Sequence, residues 1–64
     1  MSGLRTALAD RAVVEQAKGV LGYVRSLDMP AAYDALVAMA HEEGAPLGVA
    51  ARRVMERART GALT

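Results

Sequence analysis

The chain has no cysteine, tryptophan or phenylalanine, only two prolines and two tyrosines, and a net charge of just +1 over 64 residues. Each scarcity excludes something. Without cysteine there is no disulfide, no thiolate metal ligand and no thiol nucleophile. With Tyr23 and Tyr33 as the only aromatics, the core must be built from alanine, valine, leucine and methionine. The charge total does not by itself point to nucleic acid, so any such case rests on where the charges sit. No apolar run reaches the roughly 18 residues of a membrane span, and the N-terminus lacks the apolar segment of a signal peptide. The expected location is the cytoplasm. A chain of this length forms at most one domain and buries only about 60% of its unfolded surface, so a partner chain is plausible from size alone.

Alanine and leucine in this proportion favour helix, and the pattern reads as all-α. We expect a 1–10 tail in which Met1 to Gly3 fray, a first helix starting between Leu4 and Asp10, a domain over 11–59 and a 60–64 tail. Val13, Ala17, Val20, Val24 and Leu27 recur at spacings of four and three, the mark of one helical stripe, and Val14 and Leu21 widen it. Leu4 and Leu8 lie off that stripe, which suggests dimerisation through this long first helix. Asp28 is a candidate N-cap and Pro30 suits the first turn of a second helix that runs to about Glu43, with Met29, Tyr33, Leu36 and Ala40 as its apolar face, joined by Ala32 and Met39. The methionines serve there as filler. Gly44 stops that helix and Pro46 opens a third, which carries Leu47, Ala50, Val54 and Ala58 on one face and ends before Gly61; Gly48 weakens its first turn. The expected architecture is a small three-helix bundle.

Chemistry has few candidates. His41 is the only histidine, and its neighbours Glu42 and Glu43 point to different helix faces, so no catalytic pair or metal set is visible and His41 reads as a helix-end residue. No enzyme, metal or cofactor is expected. The basic residues are better ordered. Arg11, Lys18 and Arg25 are seven apart and share one face of the first helix, about 140° from the apolar stripe, with Gly22 leaving open space between the last two. Three cations in line suit a phosphate chain. An ordinary solvated face, with Glu15 pairing to Arg11 and Lys18, is the simpler reading of the pattern alone. Arg52, Arg53, Arg57 and Arg59 crowd the third helix, opposed there only by Glu56; they either anchor phosphate or simply suit a helix end. Tyr33 has the chemistry to stack on a base, but its place in the apolar face of the second helix favours core packing. Gly19, inside a good helix, costs about 1 kcal/mol relative to alanine, so either something approaches the backbone closely there or the glycine is an accident.

Glu15-Gln16-Ala17-Lys18-Gly19-Val20-Leu21 resembles the signature of the ANTAR family, the RNA-binding output domains of transcription antitermination regulators. The likeness continues through Asp28, Ala32-Tyr33, Leu36 and Val49-Ala50, and covers about Arg11 to Met55. It implies a dimerising three-helix bundle that binds hairpins with short loops in nascent RNA and prevents a terminator from forming. On that likeness Lys18 faces RNA, Gly19 and Ala17 permit close approach, and an upstream receiver or sensor domain controls dimerisation. Arg11, Arg25, Arg52, Arg53 and Arg57 are the further RNA-binding candidates. The chain departs from the pattern at Val37, where arginine is common, at Gly22, where methionine is frequent, and at Gly48, before the helix 3 alanine. The missing cation at Val37 keeps a second reading open, a helical dimerisation or protein-interaction module without RNA binding. A helix-turn-helix DNA reader is third, since the tight turn it needs is not evident at Gly44 to Pro46.

Overall fold

The computed structural model describes the backbone of residues 2–61 and the side chains of residues 9–61. Three helices follow one another: α1 (Ser2–Arg25), α2 (Met29–Glu43) and α3 (Leu47–Thr60), with no strand among the described residues. The first helix starts at Ser2, two residues before the expected range of Leu4 to Asp10. The surroundings of Leu4 and Leu8, like residues 62–64, lie outside the described side chains.

The boundaries follow local chemistry. Ser26 closes α1 in the left-handed conformation, φ 55°, and the Leu27 N–H donates back to the Gly22 carbonyl at 2.9 Å. Asp28 caps α2 by accepting from the Ala31 N–H at 2.9 Å, with Pro30 in the first turn, where no N–H is needed. At the other end Gly44, φ 62°, and Ala45 turn their N–H groups onto the free carbonyls of Ala40 and His41. That is the αL stop a glycine makes without steric cost.

Among the described residues eight form the buried core, and five of them are alanines: Ala17, Ala32, Ala40, Ala50 and Ala51. Small side chains let the helix axes approach closely, so little volume is needed to fill the interior. Leu21, Leu36 and Val54, one per helix, supply the bulk. Burying each is worth roughly 1.5–3 kcal/mol.

The core lines of α1 and α2 are turned from the centre of the stripe their spacing suggests, while Ala50 and Val54 stay central on α3. On α1 the fully buried residues are Ala17 and Leu21, while Val13, Val20 and Leu27 are only partly covered. At 100° per residue the line turns by about 60° toward Lys18. On α2 the line is Ala32, Leu36 and Ala40, which leaves Met29, Tyr33 and Val37 as an exposed row one turn apart. Tyr33 is thus not a core residue. The reason is topological: α1 contacts both other helices, and α2 settles against its Leu21 side, the side on which Lys18 lies.

Candidate nucleic-acid interface

The turned core line changes the environment of Lys18. It stands about 80° from the Ala17–Leu21 line, and its side chain is only 17% exposed. Its Nζ donates to Glu15 Oε2 at 3.0 Å and lies 5.7 Å from the centroid of the Tyr33 ring. Both partners hold the ammonium at the α1–α2 seam. A cation–π contact of this kind contributes about 0.5–1 kcal/mol. Arg11 and Arg25 are exposed on the same flank, and neither has a carboxylate partner among the described residues. They lie fourteen residues apart, about 21 Å along the helix. The expected Glu15–Arg11 pair does not form; Glu15 has Lys18 alone.

Beside this row is a groove of about 470 Å³ lined by Arg11, Val14, Glu15 and Asp10 of α1, Tyr33 of α2, and the Pro46–Gly48 turn. It combines a half-exposed aromatic ring, an unpaired guanidinium and two carboxylates. The seven-residue spacing of Arg11, Lys18 and Arg25 carried the cations of this surface, but nothing in it located Tyr33.

The arginines of α3 lie elsewhere. Arg52 pairs with Asp10 at 2.6 Å, and Arg53 and Arg57 both reach Glu43, at 2.7 and 3.7 Å. Arg52 and Arg59 also line a second groove with Val13, Gln16 and Met55, on the other flank of α1. The two basic clusters therefore do not converge on one surface. Asp10 and Glu43 organise the second cluster: the partners of Asp10–Arg52 are 42 residues apart, beyond any local spacing rule.

Three glycines have distinct roles. A Cβ on Gly19 meets nothing within 4 Å, so this position on the outer side of α1 is open to close approach. Gly22 is not open: a Cβ there falls 2.9 Å from Met29 Cε and 3.1 Å from the Leu27 carbonyl oxygen, and its role is to let the α1–α2 turn pack. Gly48 admits the Asp10 carboxylate, whose atoms lie 2.7–3.0 Å from where its Cβ would be. Ala17 is fully buried, so it serves helix packing and offers no surface to a ligand.

The ANTAR domain profile matches residues 2–58, nearly the whole chain. The chain belongs to the ANTAR domain family. ANTAR domains are associated with RNA-binding regulators of transcription antitermination and are regulatory domains, not an enzyme family. Neither curated proteins nor solved structures gave a match. The departures of this ANTAR domain have structural correlates: Gly48 sits against Asp10, Gly22 sits under Met29, and Val37 is 41% exposed at the end of the Met29–Tyr33–Val37 row. His41 stays exposed in the last turn of α2, favourable to the helix dipole. Among the described residues no helix is long and apolar enough to cross a membrane.

Proposed function

We propose that this ANTAR domain regulates transcription antitermination by binding hairpins with short loops in nascent RNA, so that a terminator cannot form. Occupancy is the whole mechanism, and no bond is made or broken. The observation that carries the reading is the row of Arg11, Lys18 and Arg25 on one flank of a domain matched over residues 2–58. Arg11 and Arg25 have no acid to release before meeting a phosphate. Lys18 keeps Glu15 at 3.0 Å, and an ammonium with three donors has one to turn to a phosphate. Gly19 adds an unobstructed stretch of backbone next to that row. Arg52, Arg53 and Arg57 act second, since each gives up Asp10 or Glu43 to reach RNA.

The active species in this proposal is a homodimer formed through α1 and working in the cytoplasm. Tyr23, 88% exposed on the outer side of α1, is an apolar surface that a second copy covers. A receiver or sensor, carried upstream or on a separate protein, supplies the signal. The test is titration against stem–loop RNA at several salt concentrations. Three phosphate contacts predict a slope of log affinity against log salt of roughly −2 to −3. Absence of binding at low salt overturns the reading.

One observation favours a second reading, a protein-interaction module that keeps the fold without RNA binding. The row Met29, Tyr33 and Val37, each more than two-fifths exposed, places apolar surface where a cation would serve RNA. Sedimentation with and without RNA separates the two, because this module predicts an assembly indifferent to RNA.

A further inference from the structure

The groove beside Arg11 has features that a simple phosphate track does not need. Tyr33 is 42% exposed although it is the largest side chain of α2, and it lines the groove while Lys18 does not. A planar group entering the groove therefore meets the ring without displacing the ammonium. The Lys18 contact at 5.7 Å instead fixes the ring from the seam side. The two acids on the groove wall are already neutralised, Asp10 by Arg52 at 2.6 Å and Glu15 by Lys18 at 3.0 Å. Their oxygens keep lone pairs for further donors, while the uncompensated charge of the groove is Arg11. An aromatic platform, neutralised acceptors and one free cation match a nucleotide: a base to stack, its amino hydrogens to donate, a phosphate to pair.

Resting on the RNA-binding reading above, we propose that Tyr33 is a stacking platform for one unpaired base of the hairpin loop, a base bearing an exocyclic amino group. Glu15 or Asp10 accepts from that amino group, and Arg11 takes the adjoining phosphate. The row of cations then supplies affinity for any RNA backbone, and Tyr33 supplies preference for a loop over a duplex. Lys18 becomes a positioning residue for the ring as well as a cation. The Tyr33 hydroxyl makes no hydrogen bond among the described residues, so the ring carries the role and the hydroxyl does not.

The experiment uses stem–loop RNAs with one common stem and randomised loops; the tightest member is the probe, and its loop nucleotides are then made abasic one at a time. Stacking on an aromatic side chain predicts that Tyr33→Leu weakens binding of the intact probe by roughly 5- to 150-fold, with Tyr33→Phe near wild type. One abasic position should weaken wild type by at least that factor and Tyr33→Leu by much less, since the variant keeps only the amino-group contact, and the base at that position should be adenine, guanine or cytosine. The salt slope should not change, because no phosphate contact is lost. Leucine is a strong helix former at a half-exposed site, so the fold is kept, and thermal melts of both variants verify it. Binding of the probe by Tyr33→Leu at wild-type strength, or an equal response of both proteins to every abasic position, overturns the stacking role and leaves the RNA-binding reading standing. If no stem–loop binds, that reading falls and the platform with it.

Discussion

Replacing Gly48 with alanine tests the packing of α3 on α1, because propensity and geometry disagree about the sign. Alanine in place of glycine in a helix is worth up to about 1 kcal/mol in stability. A Cβ at position 48, however, lies 2.7 Å from Asp10 Cγ and 2.9 and 3.0 Å from its two oxygens, so the carboxylate must move. Moving it breaks the Asp10–Arg52 pair, whose side chains are 39% and 52% exposed, a loss of about 0.2–1 kcal/mol. It also removes a negative charge from beside the α3 N-terminus, which has no acid in its own first turn, for about 0.3–1 kcal/mol. The carboxylate is the mobile end of a partly exposed side chain, so it can swing aside, and the two losses come to about 0.5–2 kcal/mol. Set against the propensity gain, Gly48→Ala is expected to lie within about 1 kcal/mol of wild type, and each kcal/mol shifts Tm by roughly 4–8 °C in a domain of this size. In an Asp10→Ala background the obstacle is absent, and the same substitution should stabilise by up to about 1 kcal/mol. The assay is urea unfolding of the two single variants, the double variant and wild type, followed by helical circular dichroism at one protein concentration. A coupling of about 0.5–2 kcal/mol is expected, above the few tenths seen for independent sites. Equal stabilisation by Gly48→Ala with and without Asp10 would refute the contact.

Two further predictions concern single positions. Ser26→Gly relieves a non-glycine residue at φ 55° and should raise stability by up to about 1 kcal/mol, read as a higher Tm; an unchanged or lower Tm contradicts the strain. Gly19→Ala should stabilise the fold by about 1 kcal/mol, since its Cβ meets nothing within 4 Å, yet weaken hairpin binding; stabilisation with full RNA affinity removes Gly19 from the interface.

Much of the fold was readable in the chain because its signals are local. The Asp28 cap, Pro30, Gly44 and Pro46 marked the helix boundaries through chemistry that acts within a few residues. The rotation of each helix was harder to read. Val13, Val20 and Val24 look as apolar as Val14 and Leu21, and only the arrival of α2 and α3 decides which line is central. A turn of about 60° in α1 brings Lys18 toward the seam, and a smaller one of about 30° in α2 leaves Tyr33 out of the core. The long-range ion pairs were not readable at all, because Asp10–Arg52 and Glu43–Arg53 depend on how helices cross. Gly22 and Gly48 show the same limit. One suggested open surface and the other a weak helix start, whereas both are places where a neighbouring group occupies the space of the missing side chain.

The central claim is that RNA lies along the Arg11–Lys18–Arg25 flank of α1. The direct measurement is the salt dependence of stem–loop RNA binding for wild type and for an Arg11→Ala, Arg25→Ala double variant. Loss of two phosphate contacts should flatten the slope of log affinity against log salt by roughly 1.4–1.8 and weaken binding at every salt concentration. A double variant that binds with wild-type affinity and wild-type slope would contradict the account.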